Sequence, residues 1–345
     1  MTDLSRYHRQ ILYPAIGESG QRLLGQSRVL LCGCGALGTV LAETLVRSGV
    51  GFLRIVDRDF VEITNLQRQV LFDEQDLAAQ LPKSVAAANK LRLINSDVAV
   101  EAHVADVSPA NVLGLAEGMD LILDGTDNFE TRFLLNDVAL ELGIPWVYGG
   151  CIGSHGQVLP IFPGKTACLR CLIEEVPAPG TTETCDTAGI LGPTVNMIAS
   201  LQAIQALKIL AGQSDQVEAA LHILDVWDGT LRKMSVKNLR EQGQCPTCCK
   251  GARDWLHGNR AAQTTVLCGR HAVQFTPPDR RKINLPELAE KLRASGTVTV
   301  NPFLLKLVVQ NGAFEITLFA DARAIIKGTD DPSVAKSLYA RYVGT

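Results

Sequence analysis

No long stretch of this chain is free of polar residues, and neither charge sign is in excess. The 345 residues carry 33 Lys and Arg against 36 Asp and Glu, a formal net charge of −3. That balance gives no reason to expect a nucleic-acid surface or an anionic-membrane surface. The most apolar long segment, 193–212, is broken by Asn196, Ser200, Gln202, Gln205 and Lys208, and reads as a core helix rather than a span. The opening residues MTDLSRYHRQ are polar and lack a secretory apolar region. The ten cysteines then point to reduced thiols, metal ligands or thiol chemistry instead of a disulfide scaffold, in a cytoplasmic protein. Neither internal repeats nor low-complexity tracts are visible. What remains is an ordinary globular composition, 46% hydrophobic and 20% charged, long enough for one large domain and a smaller one.

Apolar runs RVLLC (28–32), FLRIVD (52–57), VAVEAHV (98–104) and DLILDG (120–125) predict strands buried in a mainly parallel sheet. Helical patterns separate them at 36–48, at 82–95 with Pro82 at its start, and at 109–117. Helix 129–142 leads to a strand at 145–149. Alternating strands and helices predict an α/β class with a Rossmann-like sheet. Segments 155–162, 221–226 and 231–237 extend it with antiparallel strands. The Thr-, Pro- and Gly-rich stretch 174–192 is a loop too long for a plain connection. We place one domain over 1–252 and a small α+β module over 263–345, with a strand-helix-strand-strand-helix pattern. Within that module, Asp331-Pro332 marks a helix start.

Gly33, Gly35 and Gly38 in GCGALG follow the first strand and open the first helix, with Ala36 between them. Such a turn lets the backbone approach a phosphate and the helix pack on the sheet, although alone it also fits a purely structural turn. Asp57, 24 residues after Gly33, ends the second strand where a Rossmann unit puts the acid for a ribose hydroxyl. Asp59 follows it, and the same run carries Asn65, Arg68 and Gln69, with Lys83 beyond. Cations converging on a nucleotide point to phosphates that react rather than phosphates merely held. Separately, Cys168-x-x-Cys171 and Cys245-x-x-Cys248 have the spacing of a tetrahedral four-cysteine zinc site, a structural staple between a crossover loop and the domain's end. Cys249 competes with Cys248, whose spacing from Cys245 is the right one. Cys32, Cys34 and Cys151 read as packing thiols.

From residue 4 to about 250 the chain resembles the ubiquitin-activating superfamily, and within it the MoeB and ThiF group of adenylyltransferases. The resemblance rests on RYHRQ (6–10), GCGALG (33–38), DRDFVEITNLQRQ (57–69), PKS (82–84), GTDNFETR (125–132), the two cysteine pairs and TCDTAGILGP (184–193). It implies ATP-dependent activation of the C-terminal glycine of a ubiquitin-like sulfur-carrier protein ending in Gly-Gly, giving an acyl adenylate and pyrophosphate. Arg68 and Lys83 would stabilise charge on the phosphates, Asp127 would hold Mg2+, and Asn65 and Asn128 would orient nucleotide or phosphate oxygens. The resemblance further implies a homodimer in which Arg9 reaches the neighbouring site, a separate sulfur donor, and a Cys185 that can link covalently to the carrier.

Residues 263–345 do not resemble the rhodanese domain that some relatives append, and Cys268 with His271 reads as an incidental pair. An NAD-dependent oxidoreductase would share the glycines and Asp57, but leaves Arg68, Lys83 and Asp127 unexplained. A non-catalytic carrier-binding scaffold is the second rival, and the retained cations weigh against it. A tRNA-modifying dehydratase relative is the third. The two CxxC pairs, Thr184-Cys185 and the lack of net basic charge argue against it.

Overall fold

A computed structural model describes residues 3–175, 188–258, 264–267, 271–276 and 283–343. Two compact units divide the chain, Met1–Arg260 and Ala261–Thr345.

The first unit is built on an eight-stranded sheet. Its strands are β1 (Arg28–Cys32), β2 (Phe52–Asp57), β3 (Ala99–Val104), β4 (Leu121–Asp124), β5 (Trp146–Ile152), β6 (His155–Ile161), β7 (Ala220–Asp225) and β8 (Thr230–Ser235). Their order is β3-β2-β1-β4-β5-β6-β7-β8. The pairs among β1 to β5 are parallel, and β5 to β8 continue as an antiparallel meander. Alternate side chains along each parallel strand feed two cores. Val29 and Leu31 pack under α1 (Ala36–Ser48), α2 (Lys83–Ile94) and α4 (Gly192–Leu210). Leu30 and Cys32 face the opposite layer, with Phe133, Leu134 and Val138 of α3 (Phe129–Leu142) and Val112 and Leu115 of a short helix. Burial on both faces is what makes β1, β2 and β4 read as unbroken apolar runs.

Two sequence-based boundaries move. The helix expected over 109–117 forms only at Val112–Ala116. Pro82 is the cap before α2 rather than its first helical residue, with ψ of 141°. Proline's fixed φ suits either position, so the sequence does not separate them.

The second unit is a six-stranded antiparallel sheet ordered β11-β12-β13-β14-β10-β9. Its strands are β9 (Thr264–Leu267), β10 (Ala272–Phe275), β11 (Thr297–Val300), β12 (Leu304–Val309), β13 (Phe314–Phe319) and β14 (Ala324–Lys327). Helices α5 (Leu285–Leu292) and α6 (Pro332–Tyr342) share its core with Leu305, Leu307, Ile316, Leu318 and Ile326. Asp331 caps α6 by accepting from the Ser333 N–H. The α+β character is as expected, with more strands than the sequence pattern implied. Among the described residues no helix is long and apolar enough to cross a membrane.

Candidate functional site

Strand order reverses between β1 and β4, so the crevice beyond their carboxyl ends is the topological switch point where open α/β sheets take ligands. The glycine turn lies there. Gly33 has φ of +86°, and a Cβ on it would stand 2.5 Å from the Gly125 carbonyl oxygen. A Cβ on Gly38 would stand 2.1 Å from the Gly33 oxygen. The turn after β1 is thus pressed directly against the turn after β4: a side chain at Gly33 would force the two apart, and one at Gly38 would strike the Gly33 carbonyl within the first turn. Gly35 is the residue before α1, and Ala36 is the first residue of that helix.

Asp57 closes this turn from β2. One carboxylate oxygen accepts the Cys34 N–H at 2.6 Å, and the other accepts the Asp59 N–H at 2.7 Å. Burial raises its pKa, against the nearby Lys83 ammonium and these two donors. Lys83 is itself buried, its Nζ 3.3 Å from Asp59 Oδ2. An ammonium in the first turn of α2 opposes the helix dipole, a placement that folding alone does not favour. Asn65 and Gln69 are also buried, while Arg68 is half-buried and donates to the Thr64 carbonyl at 2.8 Å. Asn65 Oδ1 accepts the Glu62 N–H at 3.0 Å, capping the turn Ile63–Asn65. The Gln69 amide stands 3.8 Å from where a Gly35 Cβ would be, and its oxygen is buried without a hydrogen bond.

Beyond β4 the chain runs Asp124-Gly125-Thr126-Asp127-Asn128 into α3. Asp127 is exposed. Asn128 Oδ1 caps α3 through the Thr131 N–H at 2.8 Å. Below this turn two residues that the sequence had not singled out form a buried ion pair, Arg132 Nε to Asp124 Oδ2 at 3.3 Å. Arg58, between Asp57 and Asp59, is the third addition. Burial acts to lower its pKa, but Asp106, Asp59 and Asp127 outweigh that and hold it charged. It ties the acids at the ends of β2, β3 and β4 into one electrostatic group. An arginine amid the apolar residues of α3, Phe133 and Leu134 among them, was the signal available for Arg132.

Arg9 is exposed, and among the described residues it has no hydrogen-bond or ion-pair partner. Its segment is anchored far from the glycine turn of its own chain. Tyr7 packs on Gly49, where a Cβ would come within 2.4 Å of its ring, and Gln10 donates to the Ser48 carbonyl at 3.0 Å. Both contacts are at the end of α1, a 13-residue helix about 20 Å long whose other end is the glycine turn. Cys185 and Cys268 lie outside the described residues. His271 Nδ1 is 2.5 Å from Asp330 Oδ2.

The four cysteines converge within the first unit. Sγ of Cys168, Cys171, Cys245 and Cys248 all lie within 4.8 Å of one another. Cys168 is 3.7 Å from Cys245 and 3.9 Å from Cys171, and Cys171 is 3.4 Å from Cys248. Four sulfurs around a tetrahedral zinc at about 2.3 Å stand roughly 3.8 Å apart, so the donor set fits that ion. Cys249 is exposed and directed to the Arg240 carbonyl. Helix α3 supports the cluster from beneath. Asn136 Oδ1 accepts the Leu169 N–H at 2.9 Å, and Asp137 Oδ2 accepts the N–H groups of Trp255 and Leu256 at 3.0 and 3.3 Å. Burial pushes the Asp137 carboxyl up to about 6 against these donors. Arg170 spans the two cysteine segments through Asp254 at 2.9 Å.

These features define a doubly wound α/β domain with a glycine turn and converging charges at its switch point and a four-cysteine centre at its far end. The chain belongs to the ThiF family, whose model matches residues 7–248. It is 42% identical over 342 residues to the sulfur carrier protein ThiS adenylyltransferase of Bacillus subtilis strain 168, covering 98% of this chain and 99% of that one. That match therefore runs through the second unit as well. A sulfur carrier protein adenylyltransferase of Thermus thermophilus is 37% identical over 251 residues, 71% of this chain and 91% of its own. Among solved structures, E. coli MccB with MccA-N7isoASN shares the fold at a TM-score of 0.61 and 21% identity, over 72% of this chain and 75% of that one.

Proposed function

We propose that this protein is an ATP-dependent adenylyltransferase that activates the C-terminal glycine of a ubiquitin-like sulfur carrier. The observation that carries the reading is the near full-length similarity to a ThiS adenylyltransferase. The convergence of Asp57, Lys83 and Asp127 on one switch-point crevice supports it. In the reaction a carboxylate oxygen of the carrier attacks the α-phosphorus of ATP. The new P–O bond forms as the bond to the β-phosphate oxygen breaks, and pyrophosphate leaves. Asp57 takes a ribose hydroxyl. Arg68 and Lys83 oppose the charge that grows on the phosphate oxygens, acting as preplaced cations and not as nucleophiles. Asn65 and Asn128 each give their carbonyl to a cap, which turns the amide NH2 toward a phosphate or ribose oxygen. Asp127 offers a hard oxygen ligand for Mg2+, which when bound neutralises phosphate charge.

Arg9 belongs to the neighbouring subunit's site in a homodimer. Its anchoring at the far end of α1 supports that placement, since its own glycine turn lies beyond the reach of an arginine side chain. The four cysteines hold a structural Zn2+ with every ligand position filled, leaving none for substrate. Cys185 can matter only after the adenylate exists, and a separate protein supplies sulfur. The second unit is an accessory for docking the carrier or the sulfur donor.

Exchange of labelled pyrophosphate into ATP tests the reading. Exchange is expected only when a carrier ending in Gly-Gly is present, and Arg68→Ala or Asp127→Ala should lower it about a hundredfold. Exchange without a carrier, or unchanged in both variants, would overturn it. Cys185→Ala should leave exchange intact, because a thiol contributes nothing to attack at phosphorus.

A further inference from the structure

Thr126 is held from both sides of its peptide unit. Asp124 Oδ1 accepts its N–H at 2.9 Å and its hydroxyl at 2.7 Å, while Arg132 Nη2 donates to its carbonyl at 2.8 Å. The same Nη2 lies 3.4 Å from the Gly149 carbonyl of β5. The guanidinium is further bracketed by the rings of Phe129 and Tyr148, at 5.3 and 5.4 Å. On one side Gly125 is pinned by its N–H to the Cys32 carbonyl at 2.7 Å and by its close approach to Gly33. On the other, Asn128 is committed to the α3 cap. Asp127 is the one exposed carboxylate between these anchored neighbours.

A buried charge pair is a poor route to stability, and apolar side chains of the same volume would fill this space more cheaply. What the pair supplies instead is direction, because a planar guanidinium fixes carbonyls that an aliphatic chain cannot address. We propose that Arg132, balanced by Asp124, is a positioning residue that sets the main chain of Asp127 and so its affinity for the nucleotide's divalent cation. The proposal rests on the reading of Asp127 as the ligand of that cation. Arg132 is buried, with its guanidinium committed to Asp124 and to the Thr126 and Gly149 carbonyls. It acts as the outer support that orients a ligand, a role whose loss typically weakens metal binding by about 10- to 100-fold.

The test uses the full-length, zinc-loaded chain. Replacing both partners, Asp124→Asn with Arg132→Gln, avoids leaving one buried charge alone, and Arg132→Lys keeps the charge but loses the fork. Mn2+ titration by paramagnetic resonance, with a non-hydrolysable ATP analogue present, should show the dissociation constant raised about tenfold or more in both. Amide hydrogen exchange at 125–128 should speed up while β1 and β4 keep their protection. Saturating Mg2+ should restore the exchange rate to within a few-fold, with the KM for the carrier unchanged. Parental Mn2+ affinity and parental amide protection in a folded variant would overturn the proposal. Should both arginine variants fail to fold, Thr126→Val removes a single hydroxyl bond to Asp124 and decides the matter. A weaker Mn2+ complex supports the clamp, and an unchanged one refutes it. Asp127→Ala separates this from failure of the functional reading. If that variant binds Mn2+-nucleotide as tightly as the parent, Asp127 is not the ligand, and the proposed function loses its metal site.

Discussion

Asp137 gives a prediction whose size follows from its surroundings. It is buried on α3, accepts two backbone N–H groups through one oxygen, and leaves its other oxygen without a hydrogen bond. Its pKa is raised from 3.8 to about 6, with burial as the largest cause. The sign is that of an acid whose proton is held more tightly in the folded state. Its stabilising contribution is full below the unfolded value of 3.8 and is lost as pH rises through about 6. At pH 8 the ionised carboxylate therefore costs the fold roughly 3 kcal/mol. About 1 kcal/mol of that cost is already present at pH 4.5, leaving a difference of about 2 kcal/mol across the range. Asp137→Asn keeps an acceptor for Trp255 and Leu256 and removes the titration. The stability of the variant relative to the parent should rise by about 2 kcal/mol between pH 4.5 and pH 8, equivalent to several degrees in Tm. Parallel denaturant curves with excess zinc measure this, and comparison at each pH cancels the titration of the cysteines shared by both proteins. A relative stability that is flat with pH would mean that Asp137 titrates normally and that its burial carries no electrostatic penalty.

Metal analysis should find one zinc per chain, lost in Cys171→Ser and Cys248→Ser with poorly folded protein, since such sites contribute on the order of 10 kcal/mol to folding. Cys249→Ser should keep its zinc, and zinc retained in both ligand variants would assign the site to other residues. Arg9→Ala and Asp127→Ala chains should each be inactive in pyrophosphate exchange, yet regain activity when mixed under conditions of subunit exchange, because one composite site recovers both groups. Heterodimers that form but remain inactive would refute action across the interface.

The parallel half of the sheet was legible because its strands are buried on both faces and so appear as continuous apolar runs. Gly33, Gly38 and Asp57 were legible because a tight turn and a strand-end acid have fixed spacing. Two CxxC pairs announce one cluster even when 77 positions separate them. Charges that acquire meaning only on folding were not legible. Arg132 meets Asp124 because the first turns of α3 fold back beneath the exit of β4, and the arginine among apolar residues in FETRFLL signals burial but not that partner. Arg58 likewise depends on Asp106, from a different strand end. In the second unit, β11 is only four residues long and largely exposed, so the alternation of its TVTV is too short to mark a strand on its own.

With a metal on the four thiolates, residues 171 to 245 cease to be a linear segment and become a closed ring. That ring contains α4, β7 and β8, and Gln202 of α4 also grips the Asp124 and Val147 carbonyls in the middle of the sheet. Tension applied at the chain ends would pass from Cys168 through the metal to Cys248, bypassing the ring. A single backbone cut inside it leaves the two pieces joined through the metal, whereas a cut outside it leaves them joined only by the pairing and packing of the sheet.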